Sequence, residues 1–369
     1  MARKRIIVVG NGMVGYKFCE KLRSRKEAAD FEVIVYGEEP RPAYDRVHLS
    51  SYFSGATADD LLMAPASWYS DHNIQLHTSE LVTEINREAK KIKTHTGRED
   101  HYDYLVLATG SSAFVPVIEG VERHGVFVYR TIEDLNQIIE YGKKISRAAV
   151  LGGGLLGLEA AKALLDLGLE THVIEFAPRR MPRQIDEAAS EVLEYKLSQL
   201  NIKIHTGKST KTIAVNGKLE GLVFTDGSNL DVPMLVISGG IRPRDELAKN
   251  AQLGVHARGG IVVDSYLRTN DENIFAIGEA AVYNNMVYGL VAPGYEMAEV
   301  VVRQLIGDAS RQFTGFDMST KLKLIGVDVG SFGDPFCDAQ PGIPIVFKDK
   351  RGGVYKRINI SEDGQYLLG

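Results

Sequence analysis

A short apolar run ends in Gly-x-Gly-x-x-Gly twice in this chain, at Gly10, Gly12 and Gly15 and again at Gly152, Gly154 and Gly157. That spacing admits few folds. A tight turn must follow a buried strand, the second glycine must let backbone N–H groups approach a pyrophosphate, and the third must let helix and strand pack closely. The first run, Ile6–Val9, precedes an expected helix from Met13 to about Arg25 and a second strand from Phe31 to Tyr36, with Glu38 just beyond it. The second run, Ala148–Leu151, precedes an expected helix from Leu155 to Leu167 and a strand, Thr171–Ile174, followed by Glu175. Both acids sit where a ribose 2′-OH ligand is expected, with Glu39 an alternative to Glu38. Two dinucleotide sites in one chain imply electron transfer between two cofactors.

The length, 369 residues, suggests about two to three domains, each able to bury its own core. A net charge of −5 with no basic stripe argues against a nucleic-acid surface. No apolar run approaches the roughly twenty residues that span a bilayer, and Met1–Arg5 leads straight into the first strand, so the expected location is cytoplasmic, with no membrane partner. Cys19 and Cys337 are the only cysteines, which leaves no disulfide framework, no redox dithiol and no cysteine metal motif. Cys19 reads as a small apolar side chain packed on the first helix. No metal site is expected.

Strand-like and helix-like periodicity alternates through the first three hundred residues, the pattern of a parallel α/β architecture. Tyr102–Gly110 and Met234–Gly240 are strands ending in small-residue turns, and Asn273–Glu279 is a strand ending in a Gly-acid pair. Their order suggests that the second βαβ unit is inserted into the first domain. Pro293-Gly294 should introduce a helix from about Tyr295 to Ile306. Beyond about Phe313 come short alternating segments, Lys321–Val329, Pro344–Phe347 and Gly353–Ile360, which read as antiparallel strands. Tyr366–Gly369 reads as entry into a further strand, either a short edge strand or a member whose partner lies on a continuation of the chain.

With Ala108-Thr109-Gly110 and Ile277-Gly278-Glu279, the two fingerprints make the chain resemble pyridine nucleotide–FAD oxidoreductases of the two-dinucleotide-binding-domain class. Gly37-Glu38-Glu39-Pro40, Met181-Pro182-Arg183-Gln184 and the runs Tyr44–Phe53, Gly240–Leu247, Tyr288–Ala298 and Met318–Lys323 narrow the resemblance. They are similar to the N-terminal flavin module of NADH-dependent nitrite reductase large subunits. Ser51 stands where related ferredoxin reductases usually carry lysine, and Ala280 where the nitrite reductase branch often carries cysteine. The iron–sulfur and siroheme regions of full-length subunits have no counterpart in this sequence.

The resemblance implies an α/β fold of two Rossmann-like dinucleotide-binding domains, the NAD domain inserted in the FAD domain, plus a C-terminal α+β interface domain that is incomplete. The expected boundaries are 1–115 with 241–313 for FAD, 116–240 for NAD(P)H and 314–369 for the interface domain. FAD would be held by Gly10, Gly12, Gly15, Glu38, Arg46, Ala108, Thr109, Gly110, Gly278, Glu279, Pro293 and Tyr295. In this scheme Glu279 accepts from a ribityl hydroxyl, and the helix after Pro293 turns its positive end toward the flavin. NADH would be held by Gly152, Gly154, Gly157, Glu175 and Gly240. A carboxylate at Glu175 repels a 2′-phosphate and favours NADH; Arg179 and Arg180 are the cations that could reach one. Glu159 is the implied catalytic acid between flavin and nicotinamide, with His48 near the ring.

The implied function is an oxidoreductase of nitrate assimilation, passing electrons from NADH through FAD to iron–sulfur or siroheme centres on a continuation of the chain or on a partner protein. A homodimer is left open. A free-standing NADH:ferredoxin or rubredoxin reductase is the alternative, and a flavin-bound interaction protein whose assembly follows redox state is a further one.

Overall fold

A computed structural model describes residues 3–215, 219–324, 327–349 and 351–369. The chain divides into two compact units, the first made of Met1–Val47, Thr57–Ser112 and Ile241–Phe316, the second of His48–Ala56, Ala113–Gly240 and Asp317–Gly369. The Ala113–Gly240 segment is thus an insertion in the sequence of the first unit.

In the first unit a five-stranded parallel sheet runs in the order Ile274–Ala276, Tyr104–Leu107, Arg5–Val9, Glu32–Tyr36, Ile74–His77. Ile6, Ile7, Val8, Leu105, Val106 and Leu107 are wholly buried, as continuous apolar strands covered on both faces must be. The Met13–Arg23 helix buries Gly15, Phe18, Cys19 and Leu22, a stripe at helical spacing. It packs on the Val291–Leu305 helix. Between the two, buried Glu299 accepts hydrogen bonds from Arg25 at 2.6 Å, Arg303 at 2.9 Å and Lys21 at 3.1 Å. Burial pushes its pKa up, but the bonds from Arg303 and Lys21 and the charge of Arg25 outweigh it and hold the carboxyl below its ordinary range.

The second unit repeats the plan. Its parallel sheet runs Val126–Val128, Leu235–Ile237, Arg147–Leu151, Glu170–Ile174, Ile202–His205, again with the fingerprint strand in the centre. A three-stranded antiparallel sheet, Thr210–Val215, Leu219–Phe224 and Asn229–Leu230, shares a core with it through Ile174, Ile213, Leu222, Phe224 and Ile237. Asp317–Gly369 contains two antiparallel ribbons, Thr320–Leu324 with Val327–Ser331 and Gly342–Asp349 with Val354–Ser361.

Three local expectations change. The single strand expected over Lys321–Val329 is a hairpin, Leu324 pairing Val327 across Ile325 and Gly326, which lie outside the described residues. The helix expected to begin at Tyr295 begins at Val291, with Pro293 inside its first turn, where the missing N–H costs no intrahelical bond. Tyr366–Gly369 forms no continuous strand; Leu367 makes one isolated bridge to Ile360, and Gly369 accepts from the Asn359 N–H at 2.6 Å.

Among the described residues no helix is long and apolar enough to cross a membrane.

Candidate functional site

Each unit builds a cradle from the same three glycines. Gly10 has φ of +110° and Gly152 φ of +122°; a Cβ there would fall 2.2 Å from the Ala108 carbonyl oxygen and 2.3 Å from that of Ser238. A Cβ on Gly15 or Gly157 would lie 2.1 Å or 1.9 Å from the carbonyl oxygen of Gly10 or Gly152. At Gly12 and Gly154 it would meet nothing within 4 Å. The outer glycines therefore close the turn on the neighbouring strand, and the middle one leaves open space in front of the helix.

What fills that space is constrained by the helix ends. Gly12 and Gly154 are N-caps without a side-chain hydrogen bond, and neither helix has an acid in its first turn. The Ile132–Gly142 helix, by contrast, is closed by a Thr131–Asp134 capping box, and Glu187–Gln199 by Asp186. The fingerprint helices keep their N–H groups and positive dipole ends for an anion.

In the first unit Ala108 lies against Gly10 and Gly15, within 3.6 Å of the position a Gly15 Cβ would take. The Thr109 hydroxyl donates to the Arg244 carbonyl at 2.7 Å, and Gly110 accepts from the Arg244 N–H at 2.9 Å. Arg244 then forks onto Glu38, Nη2 to Oε2 at 2.8 Å with Nη1 on Oε1. The hydrogen bond and charge of Glu38 raise the pKa of Arg244 despite its burial. Glu39, the alternative ribose acid, accepts from the Tyr44 hydroxyl at 2.7 Å and from Arg46, whose guanidinium also lies 5.2 Å from the Tyr44 ring centre.

Gly278 and Gly294 both abut Val14: a Cβ would come within 3.2 Å and 2.5 Å of its side chain. Gly278 and the buried Pro293 are thereby brought to the first fingerprint helix. Glu279 accepts from the Ser111 hydroxyl at 2.6 Å. The Tyr295 ring meets Lys17 Nζ of the Met13–Arg23 helix at 5.2 Å from its centre, and burial with Asp45 and Glu20 raises its pKa.

In the second unit Gly152 meets Ser238, and Gly240, with φ of +124°, accepts from Phe114 N–H at 2.9 Å. The Glu175 carboxylate is held by two backbone donors, Gly153 N–H at 2.6 Å and Ala177 N–H at 2.7 Å. Arg180 is buried against Ser190 and pairs with Glu194, and Arg179 donates to the Pro182 carbonyl at 3.2 Å. Both guanidiniums have protein partners of their own. Burial raises the Glu159 pKa, and His48 opposes the shift.

Three residues escaped the sequence reading. Asn11 accepts from the Tyr69 hydroxyl at 2.9 Å, which fixes its amide and leaves Nδ2 buried without a partner beside Gly10. Tyr129, 8% exposed, has a hydroxyl with no partner and is raised by burial and by the charge of Glu159. Arg244 is the third. Asn11 sits inside the motif and is readable there; Arg244 depends on a long-range pair and Tyr129 on packing. A cavity of about 610 Å³ elsewhere in the second unit, lined by Asp186, Leu193, Val329, Tyr355 and Arg357 among others, contains none of the site residues.

Residues 4–304 match the family described as pyridine nucleotide-disulphide oxidoreductase. The chain is 47% identical over 371 residues to the nitrite reductase (NADH) large subunit of Escherichia coli, covering all of this chain and 44% of that one. It is 36% identical over 373 residues to the assimilatory nitrate reductase electron transfer subunit of Bacillus subtilis, covering all of this chain and 48% of that one. The chain thus spans less than half the length of either relative. A ferredoxin reductase structure from Rhodopseudomonas palustris superposes with a TM-score of 0.88 at 25% identity, over 97% of this chain and 89% of that one. Fold, fingerprints and matches agree: the chain belongs to the pyridine nucleotide-disulphide oxidoreductase family, whose members are oxidoreductases.

Proposed function

We propose that the chain is the FAD-containing, NADH-oxidising module of an NADH-dependent nitrite reductase. It would deliver electrons to an iron–sulfur or siroheme acceptor on a continuation of the chain or on a partner protein, in the cytoplasm. The observation that carries this reading is the pair of uncapped fingerprint helices, each facing open space beside its middle glycine and each followed by a carboxylate. One such cradle suits one pyrophosphate; two suit a donor and an acceptor dinucleotide.

FAD belongs to Gly10, Gly12, Gly15, Glu38, Arg46, Ala108, Thr109, Gly110, Gly278, Glu279, Pro293 and Tyr295, with the FAD domain over 1–115 and 241–313. NADH belongs to Gly152, Gly154, Gly157, Glu175 and Gly240 in 116–240, and 314–369 forms the interface domain. When bound, the two cofactors supply hydride transfer from the nicotinamide and onward single-electron transfer from the flavin. The chain's part is positioning. Backbone N–H groups at Gly12 and Gly154 neutralise phosphate charge, Glu175 accepts from a ribose hydroxyl, and Glu159, half-buried and with its pKa raised by that burial, sets the charge near the nicotinamide.

A second reading, a free-standing ferredoxin reductase, draws on the superposition over 89% of the Rhodopseudomonas palustris protein. An anaerobic titration of the flavin absorbance with NADH and with NADPH tests what the two readings share. Bleaching by NADH, with NADPH slower by at least about tenfold because of the Glu175 charge, is the expected result. A protein that takes up no FAD, or a flavin that neither nucleotide reduces, overturns both. Electron delivery from the NADH-reduced module to the siroheme region of a nitrite reductase, but not to a ferredoxin, separates them.

A further inference from the structure

Beyond Glu175 the chain leaves its strand through Phe176-Ala177-Pro178-Arg179. The Phe176 side chain is 76% exposed, and among the described residues it stacks on no other ring. The backbone on both sides of it is tied down. Glu175 donates its N–H to the His205 carbonyl at 2.8 Å and its own carbonyl accepts from Lys208 N–H at 3.1 Å. The Ala177 N–H donates to the Glu175 carboxylate at 2.7 Å, and the Ala177 carbonyl accepts from Gly207 N–H at 3.0 Å. A large apolar ring is therefore held in water by a fixed backbone, where it gains nothing from packing.

Its neighbourhood says what the ring can meet. The adjacent carboxylate reaches back to Gly153 in the fingerprint turn, and two cations that follow it are committed elsewhere, Arg180 to Glu194 and Ser190 and Arg179 to the Pro182 carbonyl. An acid beside an exposed aromatic face suits a ribose hydroxyl joined to a flat heteroaromatic base. We propose that Phe176 is the platform on which the adenine of the incoming dinucleotide lies. This rests on the reading that the second fingerprint binds NADH, and it separates two tasks at the adenosine end. Glu175 discriminates at the ribose 2′ position, whereas Phe176 holds the base that NADH and NADPH share.

The two tasks give different signatures. In the FAD-loaded protein, Phe176→Ala should weaken ADP-ribose binding by about tenfold, the size of one base stacked on one aromatic ring. The KM for NADH should rise by a similar factor at unchanged kcat, and the preference for NADH over NADPH should not move. Nicotinamide mononucleotide, which lacks the adenine, should bind wild type and variant alike. Phe176→Trp should restore ADP-ribose affinity, and Phe176→Leu, apolar but without a π face, should not. The exposure of the side chain leaves the fold intact in all three variants, which thermal unfolding checks.

Equal ADP-ribose affinity in wild type and Phe176→Ala overturns the platform while leaving the NADH site standing. So does rescue by leucine as complete as by tryptophan. A wild-type protein that binds neither ADP-ribose nor NADH removes the site itself and both readings with it.

Discussion

The two fingerprint units share a turn and differ in what holds the acid beyond it. In the first, Glu38 is forked by Arg244, 206 positions along the chain, and Glu39 is taken by Tyr44 and Arg46. In the second, Glu175 is held by the backbone N–H groups of Gly153 and Ala177, within its own loop. A carboxylate offers about four lone-pair positions, so two backbone donors leave Glu175 room to accept a ribose hydroxyl without rearrangement. Glu38 has to share or surrender a guanidinium, and Arg244 is itself tied to Thr109 and Gly110. A site whose acid is free to act suits a ligand that comes and goes; a site whose acid is knotted into three chain segments suits one that stays.

The sharpest way to break this comparison is to fill the cradles. Gly15→Ala and Gly157→Ala put a methyl within 2.1 Å and 1.9 Å of a carbonyl oxygen. Backbone must move, at a cost of about 3 kcal/mol or more. Calorimetry should show the loss in both variants, with flavin absent from Gly15→Ala and retained in Gly157→Ala, which should instead fail to be reduced by NADH. The controls are Gly12→Ala and Gly154→Ala, where the methyl meets only open space. They should cost about 1 kcal/mol or less, the loss of a glycine cap, yet weaken cofactor binding. Flavin lost from Gly157→Ala would mean that the two cradles are not separate sites.

The cradles were legible because their constraints are local. The contact of Gly15 with Gly10, and of Gly157 with Gly152, is specified within six residues, although Gly10 and Gly152 also press on Ala108 and Ser238 far along the chain, and the apolar runs before both motifs are central strands. Cys19, read from its helix position as packing, is fully buried, and burial pushes its thiol up to about 12. What was not legible is non-local. Nothing near Glu38 announces Arg244, and nothing near Arg46 favours Glu39 over Asp45, the neighbour sequence proximity suggests. Pro293 misled for a different reason: proline marks a helix start only to within a turn, because the first four N–H groups are all without intrahelical partners. Tyr129 was invisible because an unpaired hydroxyl is a property of packing, not of spacing.

A middle-sized effect tests the acids themselves. Glu175→Gln keeps an acceptor for one of its two backbone donors, Gly153 or Ala177, and removes the charge that opposes a 2′-phosphate. The ratio of kcat/KM for NADH to that for NADPH should fall about tenfold, or about 1.4 kcal/mol of discrimination. Glu38→Gln should leave that ratio unchanged. Its pair with Arg244 is partly exposed, at 40% and 32% of the side chains, so its direct contribution to stability should stay under about 1 kcal/mol. A change in nucleotide preference on altering Glu38 would erase the distinction between a discriminating acid and an anchoring one.

The smallest effect concerns pH. The second sheet carries stacked imidazoles, His172 Nδ1 at 3.0 Å from His205 Nε2, with Glu170 at 3.1 Å from His172 Nε2. When both rings are neutral, a His172 Nε2–H that donates to Glu170 leaves His172 Nδ1 to accept from His205 Nε2–H. Burial holds both below the ordinary value of 6.5; Lys203 and Arg147 add to this at His172, against the pull of Glu170, and His172, Lys208 and Lys203 add to it at His205. A histidine with a depressed native pKa takes up its proton more readily when unfolded, so stability is full above about pH 6.5 and falls as the pH drops below it. The first unit has His77 stacked on Tyr36, also lowered by burial, but with no second imidazole against it. Thermal unfolding followed from about pH 8 to 5.5 should therefore be flattened more by His172→Gln than by His77→Gln. The difference should be no more than about 3 °C. Because the His205 carbonyl also holds the Glu175 N–H, the same acidification should loosen NADH before it loosens FAD. Equal loosening of the two cofactors across that range would show that the acid sensitivity lies outside the second sheet.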